Sequence, residues 1–280
     1  MRMRLGHGRR ALVTGVSVVS LTCAGATDLL HTTHAAAQPT VALRTAVVPN
    51  PVPLTVVSHG PTVVALGDSV PAGSSCDCRN FVSYYADLVA RRVGHNVGVS
   101  NFAEGGDKTG DVLAQLKQSK VRSALDNATT VLLMVGANDF YGPFKKVRSG
   151  AKKTSEYKPA ARKVQRNVEK AIREIRSLHD GPVTIVVLGY WNVVKDGKVG
   201  RRDYGAAGVR AAKSATGWAN GALKAAARAG HAMYVPTYRA FKGANGHKDP
   251  THLLASDGDH PNAAGHRLLA ETVEAVLPRG

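Results

Sequence analysis

Apolar positions along the chain follow two periods. Short unbroken runs at 62–66, 130–135 and 182–188 lack polar alternation and predict strands buried on both faces. Shorter runs at 96–102 and 231–235 predict two more strands. Between these runs apolar residues recur every three or four positions. Phe81, Tyr84, Tyr85, Leu88 and Val89 mark one helix, with Asn80 placed to cap it, and Val164, Val168, Ile172, Ile175 and Leu178 mark a longer one. Further helices are expected near 110–125, over the Ala-rich stretch 205–229, and at 261–276 with Pro261 in the first turn.

Strands alternating with helices at this spacing predict an α/β fold: a mostly parallel five-stranded sheet with helices on both faces and right-handed crossovers. Such a sheet gathers its ligand site beyond the carboxyl ends of its strands. With 280 residues, 44% of them hydrophobic and 20% charged, the chain suffices for one substantial core, expected over 61–280.

The pattern changes upstream. Arg2, Arg4, Arg9 and Arg10 precede an apolar, small-residue run from Ala11 to Ala26, the layout of an export signal. Small residues permit cleavage after Ala26 or Ala37, so residues 1–37 are expected to be a leader and the mature protein secreted or extracytoplasmic. The Pro-, Val- and Thr-rich residues 38–60 read as an extended linker or arm.

Charge adds a candidate partner. Taking the four arginines and Asp28 of the leader from the 37 Lys and Arg and 20 Asp and Glu of the chain leaves 33 against 19, a net +14. Electrostatic association with an anionic cell surface is compatible with this excess. The cations are spread out without interleaved aromatics, so no specific nucleic-acid site is expected. Only Cys76 and Cys78 follow the leader, and a bridge between them would brace the loop after Ser69; free thiols are the alternative.

Four clusters fall at predicted strand ends or in the loop before the last helix: Gly67-Asp68-Ser69, Gly105-Gly106-Asp107, Gly136-Ala137-Asn138-Asp139 and Asp257-Gly258-Asp259-His260-Pro261. Ester hydrolysis by a serine needs a hydroxyl, an imidazole to take its proton, a carboxylate to orient the imidazole, and donors for the oxyanion. Ser69, His260 and Asp257 supply the first three. The Asn138 amide with the Ser69 and Gly106 backbone N–H groups supply the last. Asp257 is preferred to Asp259 because a residue three back lies one turn below the imidazole, whereas the adjacent residue points away.

The ordered blocks ALGDSVPAGS, NFAEGGDKTG, MVGANDF and DGDHPNAAGH resemble those of the GDSL or SGNH hydrolase family, over roughly residues 62–277. The resemblance implies a flavodoxin-like three-layer α/β/α fold without metal or cofactor. It also implies Ser69 as nucleophile, Gly106 and Asn138 as oxyanion donors, and Asp257 with His260 as the rest of a triad. Val70 replaces the name-giving Leu, a packing residue. Gly105-Gly106 leaves the second block ambiguous by one, and counting five on from Asn101 selects Gly106.

Other candidates weigh less. Asp68 and Asp139 are expected to hold their own loops. Tyr190, Trp191 and Asn192 line either the substrate cleft or the core edge. His247, His252, His260 and His266 match no zinc spacing, and His266 reads as a surface or packing residue. The expected protein is a monomeric serine esterase acting on lipid, acetylated-polysaccharide or small esters. The alternatives are an acyltransferase using the same site and a non-catalytic cationic binding protein of the cell envelope.

Overall fold

The computed structural model describes residues 60–277; the expected leader over 1–37 and all but the last residue of the expected arm over 38–60 lie outside the described residues. In chain order the elements are β1 (Thr62–Gly67), α1 (Ser69–Ala72), α2 (Phe81–Val93), β2 (Gly98–Asn101), α3 (Thr109–Gln115), α4 (Ser119–Asp126) and β3 (Thr130–Met134). Then come α5 (Ala137–Arg148), α6 (Tyr157–Arg176), β4 (Thr184–Leu188), α7 (Gly197–Ala229), β5 (Met233–Val235), α8 (Thr237–Lys242) and α9 (Ala263–Val276), with two short 3-10 turns between elements.

The five strands form one sheet in the order β2-β1-β3-β4-β5, and every pairing is parallel. The expected fold class holds, with the sheet parallel throughout. This is the doubly wound order in which the chain reverses direction at β1 and β3 and leaves a crevice at their carboxyl ends. β1, β3 and β4 are buried from their second residue onward, as their unbroken apolar runs require, whereas β2 is an exposed edge. Helices α2 and α9 pack on one another over one face; α3, α5, α6 and α7 pack together over the other.

Several expectations shift in detail. The helix expected over 110–125 is two helices. Its buried positions Val112, Leu116, Val121 and Leu125 include a five-residue step, which breaks helical phase and turns the chain between Gln115 and Ser119. Helix α5 is an element beyond those the apolar pattern predicts; Pro143 lies inside it, and Phe140 and Phe144 bury one face. Helix α7 starts eight residues before the expected 205. Gly205, at φ +62° and ψ −179°, breaks it there, so the Ala-rich stretch is its second part. Pro261 is outside the last helix: it bridges to Leu254, and Asn262 caps α9 by accepting from the N–H groups of Ala264 (2.9 Å) and Gly265 (3.1 Å).

Candidate active site

Gly67 ends β1 at φ +150°, and a Cβ there would stand 2.0 Å from the Met134 carbonyl, so only glycine lets β1 and β3 close. The chain then turns at Asp68. Its N–H donates to Met134 O (3.0 Å), and its carboxylate caps α1 by accepting from Val70 N–H (3.2 Å). Ser69 is thereby the first residue of α1 and half-buried at the sheet's carboxyl end. A first-turn N–H has no intrahelical partner, and among the described residues the Ser69 N–H finds no other.

Asp68 is fully buried. Burial drives its carboxyl up to about 7, against the opposing hydrogen bonds from Tyr190 and Val70, with the Tyr190 hydroxyl 2.5 Å away. Tyr190 and Trp191, each 1% exposed, are core-edge residues rather than cleft residues. Tyr190 braces the turn beneath Ser69, a link 122 residues long that no sequence signal marked.

The loop after β2 is stitched alongside by Glu104 N–H to Gly67 O (3.0 Å). A Cβ on Gly105 would lie 4.0 Å from Ser69 Cβ, so this loop borders the serine. Gly106 follows at φ +91°, a conformation reserved for glycine, and its N–H has no acceptor among the described residues.

Asn138 is the second residue of α5. Its side-chain nitrogen donates to Asp107 O (2.9 Å), which fixes the amide and leaves one of its two N–H groups free. The adjacent Asp139 accepts from Thr109 N–H (2.9 Å) and Thr109 Oγ1 (3.1 Å), and Asn167 in turn donates to Thr109 Oγ1 (3.0 Å). Asp139 thus differs from the expectation that it would hold its own loop: it grips Thr109 at the head of α3 instead.

Asp257 and His260 occupy the loop before α9, with Nδ1 of the imidazole 2.6 Å from Asp257 Oδ2. The other carboxylate oxygen accepts from the N–H groups of Asp259 (2.9 Å) and His260 (3.1 Å). Burial alone would raise the Asp257 carboxyl. The bonds from Asp259 N–H, the His260 ring, His260 N–H and the Ser75 side chain outweigh it and hold the group at about 2. Asp259 makes no bond to the ring, and burial raises its carboxyl. No hydrogen bond joins Ser69 to His260 among the described residues. Their loops are nonetheless electrostatic neighbours, since the His260 and Asp259 charges both act on Asp68 beside the serine.

Cys76 and Cys78 are joined as a disulfide in the loop after α1. Ser75, directly before the bridge, has φ +60° and touches Asp257, so the bridge closes a turn that supports the carboxylate. His266 is fully buried, a packing residue close to both sulfurs. Its Nδ1 accepts from Phe81 N–H (3.2 Å), which places the proton on Nε2 and leaves no ring lone pair for a metal beside the cysteines. His247, His252 and His260 do not gather into a metal cluster with it among the described residues.

The parallel sheet in flavodoxin order thus carries Ser69, the Gly106 and Asn138 loops and the Asp257–His260 pair in the loops around its carboxyl end. The chain belongs to the GDSL-like lipase/acylhydrolase family, whose model matches residues 65–268. It is 27% identical over 224 residues to the uncharacterized protein YpmR of Bacillus subtilis (strain 168), covering 78% of this chain and 81% of that one. Among solved structures, the lipase Lip_vut3 from a goat rumen metagenome superposes with a TM-score of 0.63 at 20% identity, covering 77% of this chain and 97% of its own. Phospholipase A1 from Streptomyces albidoflavus NA297 gives 0.58 at 19%, covering 78% and 100%. The acetylxylan esterase Axe2 from Geobacillus stearothermophilus gives 0.55 at 17%, covering 78% and 94%. At these identities the structures share the fold.

Proposed function

We propose that this protein is a secreted carboxylic-ester hydrolase working through an acyl-enzyme on Ser69. The observation that carries the reading is the 2.6 Å contact between Asp257 and the Nδ1 side of His260, at the sheet end where Ser69 emerges from β1. A carboxylate at Nδ1 holds the proton there and leaves the Nε2 lone pair to serve as base.

In the proposed cycle Ser69 Oγ attacks the ester carbonyl carbon as its proton passes to His260 Nε2. The carbonyl oxygen takes up the negative charge facing the free Asn138 N–H and the Gly106 and Ser69 backbone N–H groups. Collapse expels the alcohol, which receives the proton from His260 and leaves the acyl group on Ser69. Water, deprotonated by the same nitrogen, then attacks the acyl carbon, and departure of Ser69 Oγ with its proton restored releases the acid.

Ester substrates follow from the family. The acetylxylan esterase and phospholipase among its structural relatives make acetylated oligosaccharides and lipid esters the classes to test first. Export rests on the Arg-rich, apolar leader over residues 1–37.

The test is a panel of aryl esters of increasing acyl length, run with the wild type and Ser69→Ala and followed by fluorophosphonate labelling. The wild type should turn over at least one ester and take one label per chain, while a folded Ser69→Ala does neither. Undiminished turnover by that variant would overturn the mechanism.

A further inference from the structure

A second concave site lies behind the Asp257–His260 loop. It is a pocket of about 210 Å³ between the segment after β4, helices α7 and α8, and the loop that follows α8. Asp196 is in its wall and donates its backbone N–H to Gly258 O (2.7 Å), so the pocket abuts the loop that carries the Asp–His pair. Its volume is below the roughly 300 Å³ at which pockets for drug-sized ligands begin, which suits one small group.

The charges of this wall do not balance. Asp196 is already paired with Lys242 at 2.6 Å, and Asp249 with Arg201 at 2.7 Å. Lys213 and Lys248 also line the pocket, and neither meets a carboxylate among the described residues. The wall therefore carries two uncompensated ammonium groups. A neutral donor joins them. Asn192 is 8% exposed, and its side-chain oxygen accepts from Val193 N–H (2.9 Å), which settles the orientation of the amide. Thr216 Oγ1 lies 2.7 Å from the same oxygen, so the Asn192 nitrogen is the atom left without a partner among the described residues. That nitrogen is not one of the buried unpaired atoms, so its N–H groups open onto the pocket, where a ligand oxygen can accept from them.

We propose that this pocket binds a small oxyanion, a phosphate or the carboxylate of an acidic sugar, held by Lys213, Lys248 and the Asn192 amide. Two ammonium groups and a fixed amide N–H supply charge-assisted and directional hydrogen bonds to one set of oxygens. The acids already paired in the wall leave the surplus charge for the ligand. The inference rests on the pocket alone and stands whether or not Ser69 is the nucleophile.

The chain has two tryptophans, and Trp191 lines this pocket, stacked on Phe241 at 4.2 Å between ring centroids. In a Trp218→Phe background of the whole chain, Trp191 fluorescence therefore reports the site. Sodium phosphate, glucuronate and neutral glucose are titrated at constant ionic strength. A saturable change with phosphate or glucuronate and none with glucose is expected, and the tighter of the two names the natural group. Adding Lys213→Gln and Lys248→Gln, both exposed positions, should weaken that binding by about tenfold or more while the circular dichroism spectrum is kept. No saturable response to either anion, or equal affinity in the double-lysine variant, would overturn the proposal.

Discussion

Replacing Asp257 by Asn isolates the carboxylate that orients the proposed base. In the native loop Oδ1 takes the backbone N–H groups of Asp259 and His260, while Oδ2 faces the imidazole Nδ1 at 2.6 Å. An asparagine can keep Oδ1 on the two backbone donors, so the loop stands. Its NH2 group then replaces Oδ2 and presents a donor to Nδ1. Nδ1 must become an acceptor, the ring proton moves to Nε2, and the lone pair proposed to take the Ser69 proton is lost. In trypsin-like proteases the same change lowers turnover by about 10⁴. Here the loss should be at least about a hundredfold, or about 2.7 kcal/mol of transition-state stabilisation. Asp259→Asn is the control. Its carboxylate makes no bond to the ring, and burial already favours its neutral form, so its turnover should stay within a few fold of wild type. Both variants are assayed for kcat and KM on one aryl ester, with circular dichroism to confirm folding. A folded Asp257→Asn enzyme within a few fold of wild type, or a crippled Asp259→Asn, would refute the assignment.

Three further outcomes are expected. Asn138→Ala should lower kcat by about 10² to 10³ with little change in KM, the usual cost of one oxyanion donor, checked by steady-state kinetics on the same ester. Asp68, held up at about 7 by burial, binds its proton more tightly folded than unfolded, so its contribution to stability falls as pH rises from about 4 through 7 and levels off above. Asp68→Asn removes that term; urea unfolding at pH 5 and pH 8 should show the variant gaining on wild type by a few kcal/mol, order of magnitude, at the higher pH. Gly67→Ala, whose Cβ would meet the Met134 carbonyl at 2.0 Å, should cost about 3 kcal/mol or more, read as a lowered thermal midpoint.

The sheet was legible because buried parallel strands must be apolar on both faces, and β1, β3 and β4 are. The pairing of His260 with Asp257 was legible because three residues of local chain suffice to make it. Contacts that depend on distant chain were not. Tyr190 reaches Asp68 across the sheet, and His266 accepts from Phe81 across 185 residues; neither carries a local pattern. Helix α5 carries only Phe140 and Phe144 as buried apolar positions and holds Gly142-Pro143 within it, too weak a local pattern to mark a helix.

The joint between Asn138 and Asp107, doubled by that between Asp139 and Thr109, ties the loop after β2 to the head of α5. Two segments about thirty residues apart are thus joined by three hydrogen bonds into one jaw. The proposed grip on the oxyanion would then be independent of the outer loops that meet the rest of a substrate. Descendants of this sequence can lengthen or recolour those outer loops and so change diet without re-tuning the jaw. Mutational tolerance should divide along the same line: low at 107, 109, 138 and 139, and high at the exposed loop positions beyond them.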